Sequence, residues 1–350
     1  MESIIKKAKF ESRDRIFYLD QLRALAIIGV IGIHVSQYFL GSLTGVSFLF
    51  ISEFAIPIFL MISGILLLNK EYSIRGFLKK RYPRIIIPFL FWGGIYIIFA
   101  ILFQNMAFHF SSLETAMLFI FNMFMGIKGY IVHFWYVWLI LSVYLFLPII
   151  NKWIKNSSFS EIKYFLLIWI ITSIFTTFGL SYYNIDLRYF AGPIGFVILG
   201  YYLANDNNKL IGNIFLWPLL LLISTVVRIV CYDLSIGTNH FSFFSLLSII
   251  QATSFFLMIK NLNYNKLFTK VSSFMKNGII GSLTLSLSRY SYGIYLNHVL
   301  FILSFEILVN FPKKSPIWIP FLVIVVLLLS WGTFVILNRI PILNKITGIH

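Results

Sequence analysis

An arginine and a histidine of matched phase lie in the first long apolar stretch: Arg23 and His34, in YLDQLRALAIIGVIGIHVSQYF. Eleven positions is close to three whole turns at 3.6 residues per turn. On a helix the two side chains therefore share one face, roughly 16 Å apart along the axis. Their chemistries differ: a guanidinium forks onto phosphate or carboxylate oxygens, and a neutral imidazole takes or gives a proton near pH 7. An ionisable group at a bilayer centre costs roughly 2.5 kcal/mol or more, so it is rarely kept there without a partner or a task.

The elements that must position this pair follow from composition. Mean hydropathy is +0.88, 59% of residues are hydrophobic and 11% are charged, about half the charge a soluble fold carries. The chain is expected to be an integral membrane protein. Alternating ten-residue barrel strands are absent, so the expected fold class is all-α, a polytopic transmembrane bundle. About ten apolar runs approach spanning length, placed near 19–40, 46–68, 85–104, 134–150, 162–181, 190–204, 213–231, 242–259, 290–309 and 317–337. Leu113 to Ile127 reads as an extra interfacial or re-entrant segment. No soluble domain, linker, low-complexity tract or repeat is evident, so 1–350 reads as one membrane-embedded domain, with 1–18 a basic tail.

The net charge of +16 is distributed unevenly. Lys6, Lys7, Lys9, Arg13 and Arg15 precede the first span, and the stretches Lys70 to Arg84, Lys152 to Lys163 and Lys260 to Lys276 are basic. These are alternate connections, which the positive-inside rule puts in the cytoplasm together with both termini. Lys313 and Lys314 fall on the outer side and break the rule. Lysines in short connections suit anionic lipid headgroups, not nucleic acid. The single cysteine, Cys231, excludes an intrachain disulfide and a cysteine metal cluster, and no metal site is expected. No cleavable signal is evident, so the first span is expected to be retained.

Orientation sets depth. His34, fifteen residues into a span beginning at Leu19, lies roughly 22 Å across, in the outer half. Glu53 in the second span reaches a comparable depth and can meet His34 between the two helices. His133 stands at the outer mouth of the fourth span, before FWYVW, and His298 near the middle of the ninth, in YSYGIYLNHVLF. A second group gathers towards the cytoplasm: Arg23, Arg75, Arg81, Arg84 and Arg289. Arg81 and Arg84 flank Pro83 at helical spacing, and Pro88 cannot donate to the carbonyl of Arg84, which predicts a kink holding two guanidiniums where a polyphosphate can be forked.

Each of these has a plainer reading. A lone intramembrane histidine can simply bond a neighbouring helix, for about 1 kcal/mol. The basic residues can be topological charge. Asp20, three residues before Arg23, can form a local ion pair that orients it. Trp135, Tyr136 and Trp138 can be interfacial belt, and Gly29, Gly32, Ser63 and Gly64 can allow close helix packing.

LDQLRALAIIGVIGIHV resembles the opening helix of the membrane acyltransferase family called acyltransferase 3, including the ten residues between its arginine and histidine. FAIPIFLMISGILL is similar to the family's second-helix motif, and KKRYPRIIIPFLFW matches the R-x-x-R element that begins its third helix. HFWYVWLILSVYLFLPII and LSRYSYGIYLNHVLFI resemble later segments, so the similarity runs from Tyr18 to about Phe301. The pattern is closest to bacterial O-acetyltransferases of surface polysaccharide. Asn297 before His298 and the Phe/Ile-rich loops depart from it and leave the acceptor open.

The resemblance implies a multi-pass protein of the cell membrane. Its implied reaction transfers an acyl group, usually acetyl from cytoplasmic acetyl-CoA, to a hydroxyl of a glycan or lipid-linked glycan. Acyl-CoA is then a co-substrate and no bound cofactor is implied; the partners are acyl-CoA, the glycan acceptor and membrane lipids. The family motifs map onto Arg23, Arg81 and Arg84 as donor-binding residues and onto His34 as the catalytic group. Within such a mechanism His34 takes the hydroxyl proton, or is itself acylated, and Glu53 orients its ring. His133, His298 or a backbone amide can contact the acceptor or the oxyanion. Two other functions fit a polytopic bundle with buried titratable groups. A transporter or flippase of a lipid-linked sugar or anion would use His34, Glu53 and His298 as a proton relay, although no paired interrupted segments signal inverted repeats. A scaffold without chemistry leaves the two clusters unexplained.

Overall fold

The computed structural model describes residues 16–103, 112–127, 131–177, 192–206, 212–234, 245–309, 315, 317–341, 343 and 348. Lys313, Lys314 and all but the last three residues of the expected basic tail lie outside the described residues. Among the described residues every regular element is helical. The α-helices are α1 (Phe17–Ser36), α2 (Leu43–Ser52), α3 (Ala55–Leu67), α4 (Ile74–Leu102), α5 (Leu113–Met125), α6 (Trp135–Asn156), α7 (Phe159–Thr177), α8 (Ile194–Asn205), α9 (Leu216–Asp233), α10 (Leu246–Tyr264), α11 (Thr269–Lys276), α12 (Gly278–Val309) and α13 (Trp318–Leu337).

Among the described residues, seven stretches are long and apolar enough to cross a membrane: Phe17–Phe39, Leu43–Leu67, Ile74–Leu102, Trp135–Asn156, Leu216–Asp233, Gly278–Val309 and Trp318–Leu337. Each of the ten expected spans overlaps a helix, and α5 occupies the expected extra segment as a shorter apolar helix, as α8 does the sixth span. The expected second span is interrupted at Glu53 and Phe54, between α2 and α3. Pro57 explains the break, because it has no N–H to give the carbonyl four residues back, that of Glu53. Helix α4 runs through both Pro83 and Pro88 as one 29-residue element, beginning a few turns before the expected start. Ser73 opens it, its side chain accepting from the Gly76 N–H at 3.1 Å.

Helix α1 is the hub. It packs against α2, α3, α10, α12 and α13, and most of its apolar residues are buried, with Leu25 exposed. The close packing expected at glycines is clearest between α3 and α8: a Cβ on Gly64 would lie 1.8 Å from the Val197 carbonyl oxygen, and one on Gly200 2.2 Å from that of Met61. The outward faces are apolar, with Leu90 54% and Leu222 61% exposed, the surface expected of helices solvated by lipid.

The basic connections meet at one end of the bundle. Asn151 of α6 exchanges two hydrogen bonds with the backbone of Lys70, at 3.2 and 2.9 Å, and Lys155 pairs with Glu71. Asn263 donates to Gln21 of α1 at 2.6 Å, and Lys260 caps α8 through the carbonyls of Leu203 and Ala204.

Candidate active site

Towards the end of the bundle where α1 begins lies a cavity of about 430 Å³ lined by four arginines: Arg23 of α1, Arg81 and Arg84 of α4, and Arg289 of α12. No aspartate or glutamate is among its described lining residues. Hydroxyl groups complete the polar wall, including those of Ser63, Tyr144 and Tyr292. Arg75 does not line it. Helix periodicity explains the convergence: Arg81 and Arg84 are three residues apart and share a face of α4, while Arg289 follows Ser288, whose hydroxyl donates to buried Asp20 at 2.6 Å and ties α12 to α1. The hydroxyl of Tyr292 donates to the Ile85 carbonyl at 2.8 Å and draws α4 to α12 beside the two prolines.

The inner end of this cavity is closed by Phe59, Tyr136 and Tyr295, which also line a second chamber of about 20 Å³ that contains His34 and His133. Here three histidines gather. Ring centroids are 5.1 Å apart for His34 and His298, 5.1 Å for His133 and His298, and 6.1 Å for His34 and His133. The structure thus unites three residues separated by most of the chain, and α1 links them to the arginine cavity. Among the described residues no group of three or more His, Cys, Asp or Glu side chains is placed to hold a metal ion.

Backbone carbonyls set the tautomers of two of these rings. His133 Nε2 lies 3.3 Å from the Leu296 carbonyl, and His298 Nδ1 lies 2.7 Å from that of Tyr295 and 3.2 Å from that of Ile294. A carbonyl only accepts, so in the neutral rings these nitrogens carry the protons. The remaining nitrogens, His133 Nδ1 and His298 Nε2, are buried lone pairs with no hydrogen-bond partner among the described residues. Each can accept a hydrogen bond and neither can donate one. Tyr295 secures the arrangement, its hydroxyl donating to the His133 carbonyl, and Tyr96 donates to the Leu296 carbonyl at 3.1 Å.

Glu53 departs from the sequence expectation. Its carboxylate is engaged by Arg228 of α9 in a buried ion pair, and the side chain placed to hydrogen-bond the His34 ring is that of Gln37. Arg228 is 0% exposed and also donates to Ser248 Oγ at 2.9 Å and Gln251 Oε1 at 3.2 Å, with Gln251 donating to the Phe50 carbonyl at 2.6 Å. The helix break forced by Pro57 places Glu53 at this junction of α2, α9 and α10. Removing one partner of such a pair leaves a buried charge, which costs about 3–5 kcal/mol, whereas replacing both by apolar residues is often nearly neutral. Glu53→Ala is therefore expected to cost the protein most of its thermal stability in detergent, and Glu53→Leu with Arg228→Met to regain most of it; equal stability of the single variant and the parent would show the pair to be idle.

Sequence reasoning passed over Arg228, although an arginine inside an apolar span is itself a signal. For Tyr136 the interfacial belt was the plainer reading. Trp138 is 41% exposed, as a belt residue would be, but Tyr136 is buried in the wall between the two chambers. Tyr295, three residues before His298, shares its helix face and was legible by that spacing.

A family model described as "Acyltransferase domain" (Acyl_transf_3) matches residues 16–335. Among curated proteins and solved structures, no significant match is found.

Proposed function

Since the chain belongs to the Acyl_transf_3 family, and so is a membrane acyltransferase, we propose that it is an O-acyltransferase moving acetyl from cytoplasmic acetyl-CoA to a hydroxyl of a cell-surface glycan or glycolipid. One observation carries this reading: an acid-free cavity with four arginines shares its inner wall with the chamber of a histidine cluster. The arginines suit the phosphates of coenzyme A, since a guanidinium forks onto phosphate oxygens. The shared wall sets the inner end of the arginine cavity beside the His34 chamber, so a thioester reaching His34 passes between Phe59, Tyr136 and Tyr295.

In the transfer, the acceptor oxygen attacks the thioester carbonyl while a ring nitrogen of His34 takes its proton. The tetrahedral adduct collapses, the C–S bond breaks, and the thiolate leaves with the proton from His34 as coenzyme A. If His34 is itself acylated first, the thiolate leaves in that step and the acceptor oxygen then displaces the imidazole. Both routes need this residue. The lone pairs of His133 and His298 suit contact with the acceptor hydroxyl, which donates; they do not suit the oxyanion, which needs a donor. Glu53 serves the site through Arg228, by holding α2 against α9 and α10.

The meeting of the basic connections at one end of the bundle supports a cytoplasmic assignment for that end and for both termini. The overlap of each of the ten apolar runs with a helix supports about ten crossings within one domain spanning 1–350, seven of them by stretches long and apolar enough by themselves, and a cell-surface acceptor would place the protein in the plasma membrane. Mass spectrometry of surface glycans from cells with and without the gene is expected to differ by one acyl unit per modified sugar. Identical glycans, together with solute uptake by proteoliposomes lacking acyl-CoA, would replace this reading with transport.

A further inference from the structure

We propose that the chamber beside His34 is an acyl-length ruler that admits acetyl and rejects longer or carboxylated acyl groups. This rests on the donor reading above. The chamber measures about 20 Å³, and a single water needs roughly 10–15 Å³ by the same kind of measure. A group of about methyl size fills it. By contrast the arginine cavity, at about 430 Å³, takes bulk on the coenzyme side. Selection by size therefore falls on the acyl side of the thioester.

The aliphatic part of the wall is buried, and two histidines complete it on the polar side. Val30 and Ile33 of α1 and Ile56 of α3 are buried at 3%, 2% and 8% exposure, and Phe59 and Trp135 complete the lining beside the two tyrosines. Val30 and Ile33 belong to the hub helix, so widening the chamber on that side means displacing a helix held by five others. Interiors of this density resist added methylenes, because extra volume forces side chains off their rotamers. Among the chamber's described lining residues none is an arginine or lysine, so a succinyl carboxylate would be buried there without a permanently cationic partner.

The test uses the purified full-length chain in detergent, titrated with coenzyme A, acetyl-CoA, butyryl-CoA and succinyl-CoA. Coenzyme A and acetyl-CoA are expected to bind within about threefold of each other, and butyryl-CoA and succinyl-CoA at least about tenfold more weakly than acetyl-CoA. Ile56→Ala removes three wall carbons and is expected to bring butyryl-CoA to within about threefold of acetyl-CoA, while succinyl-CoA stays weak. Val30→Ala enlarges the chamber from α1 and gives the same reading if Ile56→Ala does not fold. Butyryl-CoA binding the unaltered protein as tightly as acetyl-CoA, or failing to gain in either variant, overturns the ruler while leaving the donor reading intact. Failure of all four compounds to bind overturns the donor reading and the ruler with it.

Discussion

His34→Ala is expected to cut acyl transfer by about 10²–10⁴-fold in membranes supplied with labelled acetyl-CoA, the usual worth of a general base. Loss of an acyl-carrying residue would be at least as severe. The variant is expected to reach the membrane in normal amounts, because His34 is not part of the Glu53–Arg228 network that ties α2 to α9 and α10. Affinity for acetyl-CoA should stay within a few-fold of the parent, since the four arginines of the proposed donor cavity are untouched. A fall in kcat and in kcat/KM by the same factor marks an interaction made in the transition state. Undiminished label transfer in the presence of normal expression would remove His34 from the mechanism.

Arg81→Ala combined with Arg84→Ala is expected to weaken acetyl-CoA binding by about a hundredfold. A hydrogen bond to a charged group contributes about 1.5–3 kcal/mol, and the lower value is appropriate because Arg84 is exposed and Arg81 partly so. Two such losses amount to about 3 kcal/mol, and 1.4 kcal/mol is tenfold in affinity. Arg23 and Arg289 remain in the cavity wall, so binding is reduced but not lost. Replacement of both residues by lysine should give an intermediate loss, since the charge survives without the fork. Raising salt should weaken the parent more than the alanine variant, as fewer exposed charges remain to be screened. Equal affinity in the double alanine variant would place the coenzyme elsewhere.

Much of this site was legible in the chain. The phase of Arg23 and His34 follows from helix geometry alone, as does the shared face of Arg81 and Arg84. His298 and His133 stood out because imidazoles are costly among apolar residues. What failed was pairing across helices. Glu53 and His34 have similar expected depths, and depth says nothing about azimuth, so a carboxylate that faces Arg228 was assigned to a histidine at the same level. Pro57 held the missing information, since it breaks the helix at the carbonyl of Glu53. The plainer, belt reading of Tyr136 missed its burial for a related reason, because aromatic residues near a span end look alike whether they face lipid or the interior.

By itself the sequence determined that the chain is a helical membrane protein, where its apolar segments run, and which residues on the first helix share a face. Those properties depend on local composition and on a fixed rise and turn per residue. Tertiary structure alone decided that four arginines line one cavity, that three histidines from α1, α12 and the turn before α6 come within 5.1–6.1 Å of one another, and that Tyr136 and Tyr295 stand between the two groups. Helix azimuths are set by the packing of whole faces against several neighbours at once, and no single segment encodes that sum.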